Sequence, residues 1–293
     1  MTQALLRLWW RVRLGLARLE GRLLRRDVGE RLVQLAWEAA QRRDYGQFAR
    51  AIDLAGGVWG WHAAGVAWAA LIYYDAGQTS LAETMFAKAL EQEPGDPTVL
   101  QYHGEYLQRK GCFQESIAYL ERAAGARPED AHAWASLGDA CWHLDQWEKA
   151  RHYYLRAVSC HPGREQLGRI YYRLANVAVQ LQDWNEAARC WREAAERLPR
   201  DECVWYNLGD ALLHAGDYQG AIEPLIRNLR MGSGRPAWTL YDIASAYYHL
   251  GRMRQAKVFC ERALRHEPND LDALGLLREL EKSCTGIAKH NTQ

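Results

Sequence analysis

What the chain lacks narrows its chemistry first. Its seven cysteines, at 112, 141, 160, 190, 203, 260 and 284, form no CxxC pair and no close Cys/His cluster, which argues against both a zinc site and a disulfide framework. They read as free thiols of a reducing compartment. No Gly-rich phosphate loop, nucleophile elbow or HExxH motif occurs, so catalysis has no starting residue. The ten His are scattered, and neither His143 nor His152 has a Cys or carboxylate at recurrent ligand spacing. The expectation is therefore no enzyme, no metal and no small-molecule cofactor. Lysine is scarce, 6 residues against 31 Arg, a usage that fits a GC-rich, bacterial genome. Phenylalanine is scarce too, 4 against 13 Trp and 15 Tyr, so most rings can pack a face and still present a polar tip.

A large net charge is also missing. The overall value of +1 hides an asymmetry, because residues 1–26 hold seven Arg and one Glu, so that 27–293 carry −5. A mildly acidic body does not suit a phosphate-tracking groove, and nucleic acid is not expected as a partner. A hydrophobic content of 48% is ample for a core.

What is present is a repeat. Residues 131–164 carry Trp134, Leu137, Gly138, Cys141, Ala150, Tyr154, Ala157 and Pro162. A shift of 34 back gives 97–130, with Leu100, His103, Gly104, Leu107, Ser116, Leu120, Ala123 and Pro128. Another gives 63–96, with Val66, Ala70, Tyr73, Ala82, Phe86, Ala89 and Pro94. Forward, after three inserted residues, 168–201 carries Tyr171, Leu174, Ala175, Trp184, Ala187, Trp191, Ala194 and Pro199. Residues 202–235 carry Trp205, Leu208, Gly209, Leu212, Tyr218 and Ala221, but Asn228 stands where Ala is expected and Ser233 where Pro is expected. After one more inserted residue, 237–270 carries Leu240, Ala244, Tyr247, Gly251, Ala256, Ala263 and Pro268. A degenerate unit at 29–62 keeps Leu32, Leu35, Ala36, Asp44, Tyr45 and Ala55.

This pattern resembles the tetratricopeptide repeat (TPR) family, in which W-x2-L-G-x2-Y is followed by A-x3-F-x2-A and Pro. The resemblance implies an all-α, right-handed superhelical solenoid of antiparallel helix pairs, six good hairpins and one weak one. Small residues fall where paired helices cross, and large ones fill the space between hairpins. A Pro near the end of most units can stop one helix and pre-set the next.

The ends carry their own signals. Leu271, Leu274, Leu277 and Leu280 predict a capping helix over 271–283, followed by a disordered tail at 284–293. At the other end Leu5, Leu8, Trp9, Val12, Leu16, Leu19 and Leu23 form one helical stripe and Arg7, Arg11, Arg18, Arg22 and Arg25 another, a basic amphipathic helix within 1–28. Arg11, Arg13 and Arg18 interrupt any signal-peptide core. Three roles stay open for it: packing on the weak hairpin, contacting a partner protein, or lying on an anionic membrane surface through Arg7, Trp9, Trp10, Arg11, Arg18 and Arg22. The expected location is cytoplasmic, either free or peripheral at the inner face of the membrane. Residues 54–74 hold no charge and match a bilayer in length, but Gly56, Gly57, Gly60, Gly65 and His62 and the hairpin boundary inside the segment argue against a span.

In the family, ligand contacts come from set positions of each hairpin's first helix. The resemblance places there His132, Asp139, Trp142, His143, Arg169, Tyr172, Asn176, Tyr206, Asp210, His214, Trp238, Tyr241, Tyr248 and His249. Gln101 and Glu105 hold the matching places further back. Rings with polar tips dominate interface energetics. The expected function is thus a protein-interaction adapter holding a peptide or partner helix, with a peripheral membrane scaffold as the alternative. Arg169 and Arg173 resemble the basic pair of a carboxylate-gripping TPR clamp, but Gln101, Glu105 and Ser136 stand where that clamp needs Lys and Asn, so the full clamp is absent.

Overall fold

Where each helix pair turns, the chain takes a left-handed backbone conformation: Gly77, Gly111, Gly216 and Gly251 at φ 70–82°, Asp145 and Gln182 at 56° and 58°. One residue later an amide donates five residues back, from Gln78 to Tyr73, Cys112 to Leu107, Gln146 to Cys141, Asp183 to Ala178, Asp217 to Leu212 and Arg252 to Tyr247, each at 2.8–2.9 Å. Six turns therefore share one Schellman-type closure, which satisfies the carbonyls that a helix end leaves over.

The computed structural model describes residues 63–232 and 234–282 in full, the backbone on to 290, and Leu35, Glu38, Ala39, Arg42, Asp44, Gly46, Gln47 and Ala51. The basic segment of 1–28 and most of the weak unit at 29–62 lie outside the described residues. Thirteen helices and no strand occur among those described. The chain divides between Ala140 and Cys141 into two compact units. In the first, α1 (Ala63–Asp75) packs on α2 (Thr79–Gln92) and α3 (Pro97–Arg109) on α4 (Phe113–Ala126). Helix α5 (Ala131–His143) crosses the division. The second unit holds α6 (Trp147–Ser159), the pairs α7 (Arg164–Gln180) with α8 (Trp184–Arg197), α9 (Glu202–His214) with α10 (Tyr218–Arg230) and α11 (Pro236–His249) with α12 (Met253–His266), then α13 (Leu271–His290). Among the described residues no helix is long and apolar enough to cross a membrane.

Size complementarity recurs through both units. Ala82, Ser116, Ala150, Ala187, Ala221 and Ala256 are fully buried, and four residues on stand Phe86, Leu120, Tyr154, Trp191, Leu225 and Cys260, also buried. A Cβ on Gly104 would lie 2.6 Å from Leu120, and one on Gly209 2.5 Å from Leu225. Glycine there lets two helix backbones approach across a large side chain.

Between hairpins a second device repeats. Each of Pro94, Pro128, Pro199 and Pro268 is followed two residues later by an Asp, and Asp96, Asp130, Asp201 and Asp270 accept from amides of the next helix at 2.8–3.3 Å. Such caps contribute about 1 kcal/mol each. Trp134 and Trp205 donate their indole N–H to the carbonyls of Pro128 and Pro199, tying each loop to the helix after it.

The departures from the repeat have physical reasons. Asn228, buried where Ala is expected, donates through Nδ2 to the Glu202 carbonyl at 2.9 Å and accepts from the Thr239 hydroxyl at 3.0 Å. One buried polar side chain is thus answered by another. The inserted residues 165–167 add a turn rather than a loop: α7 has 17 residues where α3 and α9 have 13. Gly168 makes that possible, since a Cβ there would sit 2.8–2.9 Å from Leu198 and Arg197. At the C-terminal end the capping helix does not stop near 283. Helix α13 runs to His290, so 284–290 of the tail expected to be disordered is helical, with no Pro to end it.

Candidate protein-binding face

In the first unit the first-helix face is tied together by its own side chains. Gln101 Nε2 donates to Glu105 Oε1 at 3.2 Å and also meets His132 Nδ1, while His132 Nδ1 lies 3.2 Å from Glu105 Oε1. Gln108 donates to the Ser136 carbonyl at 2.6 Å. Arg109 pairs with Asp75 at 3.1 Å, and the Tyr74 hydroxyl donates to the Arg109 carbonyl. His132, proposed from sequence as a ligand contact, therefore serves the link between α3 and α5. Asp139 is half-buried on the same helix.

The second unit presents a different face. Tyr172, Tyr206 and Tyr241 occupy the same place on α7, α9 and α11, each half-buried. Burial pushes all three phenols up, helped by the acidic groups ahead of each: Asp201 for Tyr172, Asp242 and Asp210 for Tyr206, Asp272 and Asp242 for Tyr241. The tyrosines thus form a column along successive first helices, uncharged at neutral pH. Tyr172 also meets the Trp191 ring edge-on at 4.7 Å. Beside the column, Trp238 is 46% exposed, with the Arg235 guanidinium 4.3 Å above its ring. Asn176 is half-buried on α7, and Tyr248 is half-buried on α11, where its phenol bonds to Glu279 of α13.

Several expected contact residues also pack or pair within the array. His214 stacks on Trp184 at 4.2 Å and 20°, and lies 3.3 Å from Asp210. His249 stacks on Tyr218 at 4.4 Å and 11°. Each stack joins the last turn of a first helix to the opening residue of the preceding hairpin's second helix. Trp142 meets Trp147 at 4.7 Å, and His143 beside it is exposed. Arg169 pairs with Glu165 at 2.6 Å, a carboxylate that belongs to the inserted turn. Arg173 is half-buried one turn on. The N-terminal candidates Arg7, Trp9, Trp10, Arg11, Arg18 and Arg22 lie outside the described residues.

Sequence reasoning missed Asp242. It stands beside Tyr241, one place off the family's contact positions, and its carboxylate accepts from the Tyr206 hydroxyl. Its Oδ2 is buried without a hydrogen-bond partner among the described residues. Burial, then the like charge of Asp210, raises its pKa to about 6. The only signal available in the sequence was an Asp inside an otherwise apolar helix start. Among the described residues no group of three or more His, Cys, Asp and Glu gathers as a metal site would require.

Helix pairs with this turn, this pattern of small and large residues and this spacing define a helical-hairpin repeat protein. The sequence signature of the family described as Tetratricopeptide repeat matches residues 103–165 and 172–236, and a second with the same description matches 239–270, together more than half of the chain. The chain belongs to the tetratricopeptide repeat family. It is 25% identical over 185 residues, 63% of its length, to the tetratricopeptide repeat-containing protein trd-1 of Caenorhabditis elegans, and 23% identical over 205 residues to the protein O-mannosyl-transferase TMTC3 of Homo sapiens, 65% of its length. It covers only 23% and 22% of those two proteins. The solved structure of YrrB, "a TPR protein with an unusual peptide-binding site", superposes with a TM-score of 0.59 at 19% identity, over 65% of this chain and 96% of that one. At the level that its repeats define, the chain is a protein-interaction scaffold, since stacked hairpins present an extended surface to a partner.

Proposed function

We propose that this scaffold acts without catalysis, as an adapter that holds an extended peptide or one helix of a partner on the first-helix face of residues 164–249. The observation that carries the reading is the tyrosine column Tyr172, Tyr206 and Tyr241 beside the exposed ring of Trp238. Half-buried rings with polar tips give contact area at low entropic cost and fit alternating apolar and polar partner groups. Arg169, exposed and only paired along its own helix, adds a cation for an acidic group of the partner. A triple variant, Tyr172→Ala with Tyr206→Ala and Arg169→Glu, tests this by quantitative affinity capture, with circular dichroism confirming that it folds. Loss of the captured partners is expected; an unchanged set would overturn the reading.

A second reading is favoured by the charge of residues 1–26. Seven Arg and the pair Trp9 and Trp10 suit an anionic membrane surface, where each basic residue contributes about 1 kcal/mol. On this reading the adapter is peripheral to a membrane. Co-sedimentation with phosphatidylserine vesicles should fall when 1–26 are removed, and equal pelleting would dismiss the anchor.

A further inference from the structure

Two polar side chains, one in each unit, are held where only one protonation state is comfortable, and the favoured states are opposite. In the first unit His103 of α3 is boxed by rings: Phe86 of α2 at 5.3 Å, Tyr119 of α4 at 4.4 Å and Tyr106 of α3 itself at 5.9 Å. Its Nδ1 is buried without a hydrogen-bond partner among the described residues. Among the described residues no carboxylate acts on it to favour a second proton. Glu83 of α2 is taken by Lys110 at 3.0 Å and by the Tyr106 hydroxyl at 3.1 Å, and Lys110 itself repels a charged imidazole. From α1, Asp75 is paired with Arg109; from α5, His132 is paired with Glu105.

In the second unit the problem has the other sign. Asp242 of α11 accepts from the Tyr206 hydroxyl of α9, and its Oδ2 is buried without a hydrogen-bond partner among the described residues, with Asp210 of α9 adding like charge. The His214 ring of α9 lies 3.3 Å from Asp210. Arg235 lies over Trp238, and Asp270 of the following loop caps α13, where Asp272 also stands. Helix α10 meets α11 through Asn228 and Thr239, and α12 meets it through Tyr247 and Phe259, pairs without charge.

We propose that the two units of this array respond to pH in opposite directions, acidification loosening the packing around His103 in the first and tightening the α9–α11 packing around Asp242 in the second. The linkage fixes the signs. Burial, then Lys110, lowers His103 to about 4, below its ordinary 6.5, so the unfolded state takes up the proton first and stability falls as pH drops through 6.5 toward 4. Asp242 is raised to about 6, so the folded state takes up the proton first and stability rises as pH drops through 6. Between pH 7.5 and 5.5 the two opening equilibria should shift by about tenfold and about fourfold, in opposite senses.

Amide hydrogen exchange of the full chain at pH 7.5 and 5.5, corrected for intrinsic rates, reads both units in one sample. Protection in α3 and α4 should fall about tenfold at pH 5.5, and protection in α9 and α11 should rise about fourfold. Asp242→Asn should remove the second response alone, and His103→Phe the first alone. If a variant does not fold, carboxyl-carbon and imidazole titrations of the wild-type protein replace it. Both units moving in the same direction would overturn the proposal, as would an Asp242 or a His103 that titrates in its ordinary range.

Discussion

The same helix position has opposite uses in the two units. In the first unit Gln101 reaches the next first helix and joins Glu105 and His132 in a hydrogen-bonded link. In the second, Tyr172, Tyr206 and Tyr241 stand at the equivalent place and give half-buried rings to the face. The backbone beneath is alike: the same left-handed turn, the same five-residue-back closure, the same small residue against a large one. The repeat therefore sets where a side chain points, while its chemistry decides whether it ties neighbouring first helices together or stays as a half-buried ring on the face.

Variants can break or sharpen that contrast. If the backbones are equivalent, intrusion at the helix crossing should hurt both units alike. Gly104→Val and Gly209→Val should each cost about 3 kcal/mol, because even a Cβ at these places collides with Leu120 or Leu225. Urea unfolding would show it, and tolerance of either change would mean that the two crossings are not the same. Next in size is the polar pair peculiar to the second unit. Asn228→Ala restores the family's usual residue, yet should cost about 2 kcal/mol by removing its two hydrogen bonds, to the Glu202 carbonyl and from the Thr239 hydroxyl. Adding Thr239→Val should recover part of that loss in a double-mutant cycle.

How far the sequence was legible follows from these cases. The period of 34 and the alternation of Ala with Phe, Leu, Tyr or Trp were visible because burial constrains size at every hairpin. Asn228 and Thr239 were not, because each looks like a defect until the fold brings the two together. The insertion at 165–167 read as a break in register, but Glu165, Gln166 and Leu167 are good helix formers and extend α7 by a turn. The candidate face was legible as a set of positions. The uses of His214 and His249 as stacking links, and the half-buried acid at Asp242, depend on neighbours a full hairpin away, which a pattern within one repeat does not contain.

Smaller effects sharpen the contrast between faces. Gln101→Ala should cost the first unit about 1 kcal/mol through its lost hydrogen bonds and leave partner capture unchanged. Glu165→Ala should change stability by less than about 0.5 kcal/mol, since the pair with Arg169 is exposed, while releasing Arg169 to a partner's acidic group. A thermal melt and a capture assay on the same preparations separate the two readouts.

The most direct measurement uses the full chain and peptides selected against it from a randomised displayed library. The dissociation constant of the tightest peptide would be compared among the wild type, the pair Tyr172→Ala with Tyr206→Ala, and the pair Gln101→Ala with His132→Ala. A face in the second unit predicts that the tyrosine variant weakens binding by about thirtyfold or more, the loss of roughly 2 kcal/mol typical of an interface hot spot, while the other stays within about threefold. The reverse order, with the tyrosines dispensable and the Gln101 and His132 pair essential, would contradict the account.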